Sequence, residues 1–310
     1  MMENDYDKRN GDVVFYEDSH KYVNINTQEL YVSVTTLIGK FCQDFDKDFW
    51  SGYKALEKLL SADEFKMEKS QLQNTRKIDV EYFCSMYGFT RNDYNKTQQD
   101  ILDEWQKTNA ESCERGSKIH AELEHKYTSK KQCELKKFGL GGKFEVNTND
   151  SLMHCNKDLL DIDKGVFPEY LVYRKSADGK FRLAGQIDLL IKDGNDIWII
   201  DYKTNAKLDD KSFFDKRTKK CQMMKYPLSN IMDCNKMHYT LQLSTYAWML
   251  QKLNPNFVIK KLMLIHYDHS GNVTEHVLDY LKDDVERMCK FYKKDAILKA
   301  KKDSRRLIEF

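Results

Sequence analysis

Residues 166–203 read VFPEYLVYRKSADGKFRLAGQIDLLIKDGNDIWIIDYK, and this stretch decides the fold. It holds three apolar runs, 167–173, 182–191 and 196–203, separated by short turns. Asp178-Gly179 is a favoured two-residue hairpin turn, and Gly194-Asn195 an acceptable one. If Asp178-Gly179 closes the first hairpin, Ala177 faces Lys180 and Glu169 falls opposite Asp188. If Gly194-Asn195 closes the second, Asp193 faces Asp196 and Asp188 falls opposite Asp201. Three carboxylates then form one row across three strands, and Lys203, two residues after Asp201, shares its face. Opposed side chains in a sheet stand about 5 Å apart, and like charges there are destabilising. A divalent cation with oxygen ligands compensates them. A bulge in either hairpin would break the alignment.

Other D-x-K triplets, at Asp178–Lys180 and Asp209–Lys211, lie in turn-like or polar surroundings. Asp201-Tyr202-Lys203 differs because the apolar strand Ile197–Ile200 leads into it, and charges ending a buried strand must be paired or metal-bound.

Outward from this core, the first forty residues alternate (Val13, Phe15; Tyr22, Val23, Ile25; Tyr31, Val32, Val34) and predict a small antiparallel sheet ending at Ser33–Thr36, where a helix begins. Residues 41–128 read as helices over Phe49–Leu60, Val80–Tyr87 and Gln98–Tyr127. Residues 129–165 read as a strand-poor insertion. After the third strand come a basic polar stretch, a helix from about Met237 to Leu253, a hairpin around Gly271-Asn272 and a charged C-terminal helix. Helices before and after a mixed sheet, with runs apolar on both faces, predict an α/β sandwich. We divide the chain into an N-terminal β-hairpin and helical region, 1–110, and a core with its C-terminal helix, 111–310.

The 51 basic and 49 acidic side chains give a net charge of +2, so nucleic-acid contact must come from local patches rather than a global cationic surface. Lys203 to Lys225 carries eight Lys/Arg against three Asp, and Lys293 to Arg306 seven against two. A solvated helix face is the commoner meaning of such runs. The first adjoins the carboxylate row, and Lys207, Lys211, Lys216, Arg217, Lys219 and Lys220 are its candidate backbone contacts. Eight cysteines without a CxxC pair, a polar N-terminus and no long apolar run predict free thiols in a reducing, intracellular compartment, with no membrane partner.

The segments Leu183–Leu190 and Ile199–Thr204 resemble motifs II and III of the PD-(D/E)XK nucleases, and most closely the RecB-like and lambda-exonuclease-like branch of phage or viral type. The resemblance implies a restriction-endonuclease-like core, a mixed central sheet flanked by helices. It implies Asp188 and Asp201 as ligands of Mg²⁺ or Mn²⁺, one ion or two, with the Tyr202 carbonyl completing the shell and Lys203 as the catalytic lysine. Gly116, His120 and Glu124 match that branch's G-x-x-x-H-x-x-x-E pattern, in a helix read as opening after Gly116; this makes His120 a metal ligand, and imidazole among oxygens favours Mn²⁺. On residue type alone His120 reads as a partly buried, hydrogen-bonded histidine. Tyr239–Tyr246 resembles the family's Q-L-x-x-Y helix, which gives Gln242 a role in orienting the lysine and Tyr246 one in contacting nucleic acid. Glu169 matches a glutamate one strand before motif II, a metal ligand or a group behind one. Some relatives carry a four-cysteine iron–sulfur cluster; the spacing of Cys113, Cys221, Cys234 and Cys289 does not suit one, and no cluster is expected.

The implied activity is hydrolysis of DNA phosphodiester bonds, as an exonuclease on single strands or duplex ends in replication, recombination or repair, with proteins of those processes as further partners. In a viral setting the compartment is the host cytoplasm or nucleus. Two alternatives stay open: an RNA endonuclease of the same fold, and a catalytically inactive nucleic-acid-binding or recombination-partner protein.

Overall fold

The computed structural model describes residues 12–147, 159–215 and 218–308. It divides into two compact units, one of residues 1–43, 118–214 and 221–310, the other of residues 44–117 and 215–220.

The first unit is built on a ten-stranded mixed sheet. β1 (Val13–Tyr16), β2 (Lys21–Asn24) and β3 (Leu30–Ser33) form the expected antiparallel meander. Ser33 then caps α1 (Val34–Gly39), its side chain accepting from the Thr36 N–H and filling one of the orphan donors of the first turn. The meander is continuous with the main sheet, because β3 pairs in parallel with β7 (Arg182–Asp193) at Val32–Leu183 and Ser33–Ala184. β7 also pairs along its other edge with β6 (Lys164–Lys175). The 129–165 insertion holds more strand than expected: β4 (Gln132–Glu134) and β5 (Lys143–Val146) extend the sheet beyond β6. β8 (Asp196–Lys203) pairs with β7, and β11 (Val258–Tyr267) joins β8 in parallel before turning back into β12 (Val273–Leu278). β9 (Phe214–Asp215) and β10 (Lys220–Cys221) make a separate two-stranded ribbon.

Both hairpin registers are those expected. Lys175 pairs with Arg182 and Lys164 with Asp193, so position sums hold along β6–β7; Asp193 pairs with Asp196 and Leu189 with Ile200 across β7–β8. The first loop is wider than two residues: the Ser176 N–H donates to the Phe181 carbonyl, and Gly179, at φ 64°, takes the left-handed position glycine suits.

One face of the sheet carries the larger core. Leu37 and Ile38 of α1, Leu243, Ala247 and Leu250 of α6 (Asn235–Leu253), and Val285 and Met288 of α7 (Lys282–Ile308) pack there against Phe167, Leu183, Leu190 and Ile199. A second core, against Ile191, Ile200 and Met263, receives Leu123 and Tyr127 from the end of α5 (Arg91–Thr128). No helix opens at Gly116; that glycine lies inside the 38-residue α5, whose first turn is set by a reciprocal Thr90–Asp93 cap.

The second unit is helical: α2 (Lys47–Leu59), α3 (Ala62–Thr75), α4 (Val80–Tyr87) and the first part of α5 close around Phe49, Tyr53, Leu56, Phe65, Leu72, Phe83 and Ile101. Among the described residues, no helix is long and apolar enough to cross a membrane.

Candidate active site

The regular period of two in β6 and β7 resets at one place. Phe167 and Tyr170 both pack into the larger core, as do Ile187 and Leu190; three residues apart, regular alternation would put each pair on opposite faces. The reset falls at Glu169 and Asp188, the one pair missing between Pro168–Leu189 and Tyr170–Ile187. Glu169 sits at φ 48°, a left-handed conformation that strains a side-chain-bearing residue. No register shift accompanies it. The strands are re-aimed at the two carboxylates.

Asp188 also lies where β7 changes partners. On the edge opposite β6, β3 pairs as far as Ala184 and β8 begins at Leu189. Among the described residues, 185–188 have no strand partner on that edge. Asp188 Oδ2 instead accepts the Tyr202 N–H at 2.7 Å. A carboxylate stands in for the ladder at the point where Asp188–Asp201 would be the next pair.

Around this gap the expected residues meet. His120 Nδ1 lies 3.5 Å from Asp188 Oδ2 with its side chain 33% exposed, not turned into a helical core. Donor atoms of His120, Glu169 and Asp188 all lie within 4.8 Å of one another. Asp201, 1% exposed, holds the Lys203 ammonium 2.6 Å from Oδ2 and accepts Gln242 Nε2 on Oδ1 at 3.3 Å. Gln242 therefore positions Asp201. Tyr202 turns its ring into the second core, edge-on to His120.

Charge is unbalanced here. Burial, then repulsion from Asp188, Glu124, Asp201 and Glu17, holds the Glu169 carboxyl well above its ordinary range. Burial raises Asp201, Lys203 draws it back and Asp188 opposes, leaving it at about 6. Burial works against the Lys203 ammonium, but the Asp201 and Asp188 carboxylates outweigh it and raise its pKa. Three carboxylates thus face one ammonium. Carboxylates with a single imidazole form a donor set suited to Mg²⁺ or Mn²⁺, and a dication would relieve the repulsion that raises Glu169 and Asp201. The residues fit such an ion.

Tyr246 needs a correction. It is 3% exposed, and its hydroxyl accepts Gln242 Nε2 at 3.0 Å, so it is a core residue that props Gln242 and is closed to nucleic acid. Lys207 and Lys211 are exposed, with Lys207 paired to Asp209 at 2.7 Å; Lys219 and Lys220, in the second unit, are exposed too, and Lys216 and Arg217 lie outside the described residues.

Three neighbours escaped the sequence reading. Tyr239 places its ring 4.9 Å beneath the Lys203 ammonium, a cation–π contact. His266, beside Lys203 on β11, bonds the Asn205 carbonyl at 2.7 Å and fixes the chain leaving β8. Tyr22 on β2 has its phenol pKa raised by burial and by Glu169 and Asp188. Only Tyr239 carried a signal, one α6 turn before the glutamine–tyrosine pair.

The sequence model of the PD-(D/E)XK nuclease superfamily matches residues 92–303, more than half of the chain and all of this site except Tyr22. No curated protein matches. The solved structure of SSO0001 is 19% identical over 43% of this chain and 50% of its own, with a TM-score of 0.26, a likeness too low to bear on the fold.

Proposed function

This chain belongs to the PD-(D/E)XK nuclease superfamily, and we propose that it hydrolyses phosphodiester bonds of DNA with Mg²⁺ or Mn²⁺, as an exonuclease in replication, recombination or repair. The observation that carries this reading is the gap in the β7 ladder. There Glu169, Asp188 and His120 present donors to one point, and Lys203 stands beside buried Asp201.

In this reading Asp188, Asp201, Glu169, His120 and the Tyr202 carbonyl hold the cation. When bound, the ion neutralises charge on the phosphate and acidifies water. Lys203 has the protonation state that its role requires, since it stays an ammonium beside Asp201 and can stabilise the charge that develops on the attacked phosphate. Gln242, itself propped by Tyr246, keeps Asp201 Oδ1 fixed so that Oδ2 remains with Lys203. Exposed Lys207 and Lys211 would contact the phosphate backbone. The preference for DNA over RNA is supported by the resemblance of Gly116–Glu124 and Gln242–Tyr246 to the RecB-like branch.

End-labelled single-stranded DNA, duplex DNA and RNA, each with Mn²⁺, Mg²⁺ or chelator, test this. Release of mononucleotides from DNA only with a divalent ion is expected. Cleavage of RNA alone would assign the other substrate, and no cleavage of any would make the chain a binding protein.

A further inference from the structure

Away from the carboxylate row, three donor side chains meet where α1 ends and α6 begins. Cys42 follows α1, Asp233 precedes α6, and His238 lies in its first turn. Cys42 Sγ is 3.4 Å from His238 Nε2, and Asp233 Oδ1 is 2.6 Å from the same nitrogen. All three donors lie within 4.8 Å of one another. The other Asp233 oxygen accepts the Gln43 N–H at 2.7 Å and Gln222 Nε2 at 3.1 Å, which holds Oδ1 toward the histidine.

A cysteine, a histidine and an aspartate suggest a nucleophile with its base, but the geometry excludes it. Such a triad sets the acid on one ring nitrogen and the thiol on the other. Here both crowd Nε2, which offers one proton or one lone pair and so serves one of the two. Sulfur, nitrogen and oxygen donors aimed at one point are the set of a borderline-soft cation. In tetrahedral zinc sites with bonds of about 2.0–2.3 Å, neighbouring donors stand about 3.3–3.6 Å apart. The Cys42–His238 separation of 3.4 Å is already such an edge. The Asp233–His238 distance is that of a hydrogen bond and would open on loss of the shared proton.

We propose that Cys42, Asp233 and His238 form a zinc-binding site, distinct in its donors from the His120–Glu169–Asp188 cluster, that staples the end of α1 to the start of α6. The thiolate makes the distinction chemical: the carboxylate row has none and takes a harder ion. His238 is part-exposed, so water has access to the fourth position. His238 precedes Gln242 by one turn, so the staple sits on the helix that positions Asp201. The site stands on its own donors and holds whether or not the chain cleaves DNA.

The full chain, loaded with Zn²⁺ and dialysed against metal-free buffer, is expected to retain one equivalent. With Co²⁺ in its place, a thiolate-to-cobalt charge-transfer absorption is expected. Cys42→Ser should abolish that absorption, His238→Asn should weaken zinc binding by at least the roughly 10- to 100-fold that loss of a group behind a ligand costs, and the Asp188→Asn/Asp201→Asn double variant should keep both signals. No retained zinc, a cobalt spectrum without the thiolate band, or a band that survives Cys42→Ser overturns the proposal. If Cys42→Ser does not fold by circular dichroism, His238→Asn carries the test, and unchanged zinc affinity overturns it.

Discussion

Gly185 offers a direct probe of how the core holds the site. It lies in β7 opposite Val172, buried, where α6 meets the sheet. A methyl group there would come within 3.2 Å of Tyr246 Cζ and of Val34 Cγ2, and closer still to Tyr246 Cε1. Ordinary carbon contacts are about 3.5–4.0 Å, so the ring must retreat by about 1 Å. It has little freedom to do so, being 3% exposed and bonded through its hydroxyl to Gln242. Retreat would stretch the 3.0 Å bond to Gln242 beyond hydrogen-bond range and free the amide that holds Asp201. Gly185→Ala should therefore destabilise by about 1–3 kcal/mol through overpacking, lowering the melting temperature by about 2–12 °C. Activity should fall by up to about 100-fold, since an ångström of misplacement can do this. Gly39→Ala is the control, because open space surrounds that position and it lies in a helix. Thermal melts and cleavage rates of the two variants, repeated in a Tyr246→Leu background, form a double-mutant cycle. The shorter side chain should remove most of the penalty. A Gly185→Ala melting temperature equal to wild type, or a penalty unchanged in the Tyr246→Leu background, would show that the ring is not what glycine accommodates.

Asp188→Asn, Asp201→Asn and Lys203→Ala should each abolish cleavage in a fold intact by circular dichroism; activity within about tenfold of wild type for any two would remove the assignment. His120→Ala should weaken Mn²⁺ binding by at least the roughly 10- to 100-fold that loss of a group behind a ligand costs, read by titration calorimetry, with little change in melting temperature. Replacing Lys211, Lys216, Arg217 and Lys219 by alanine should lower the salt slope of DNA binding by about 0.7 per lost contact on single strands, or about 0.9 on duplex; an unchanged slope would leave those charges to solvation and turn attention to the C-terminal basic helix. In chelator, Glu169 binds its proton more tightly folded than unfolded, so its contribution must fall as pH rises above 4.5, and urea midpoints at pH 5 and 8 should differ less in Glu169→Gln than in wild type.

Short-range features of this site were legible because they rest on local rules. Asp178-Gly179 and Gly194-Asn195 specified two registers, and those registers brought Glu169, Asp188 and Asp201 to neighbouring positions, although neither ladder pairs Asp188 with Glu169 or Asp201 directly. Ser33 marked a helix start through its capping chemistry. The rest depended on distant partners. α3 has a local capping box at Ser61 and Glu64, but its apolar stripe is thin, with Glu68 buried between Phe65 and Leu72 and accepting from the Tyr82 and Tyr87 hydroxyls of a distant segment. Gly116 suggested a helix boundary, yet the flanking turns of α5 carry the chain through it. Nothing near Glu169 announces its left-handed backbone, and nothing near Tyr246 tells that its ring fills the space left by Gly185. The parallel pairing of β3 with β7 joins residues about 150 positions apart, beyond the reach of any periodicity.

That pairing also explains why the carboxylates gather where they do. A buried strand must satisfy its backbone groups, and regular sheet does so by giving each edge a neighbour. β7 has two successive neighbours on one edge, β3 and β8, and their pairings leave a space between Ala184 and Leu189. Backbone left open there needs side-chain or solvent partners, and Asp188 fills part of the need by accepting the Tyr202 N–H. The same opening gives carboxylates a route to solvent and to a cation that a complete ladder would close. On the helical side, Gln242 holds Asp201 Oδ1, as Lys203 at the end of β8 holds Oδ2. Substitutions within the paired segments, such as Val172 or Leu190, should then act on stability, whereas those in the gap should act on cation binding and chemistry. Gly185 lies at the margin between the two, and that position is why its replacement should disturb both at once.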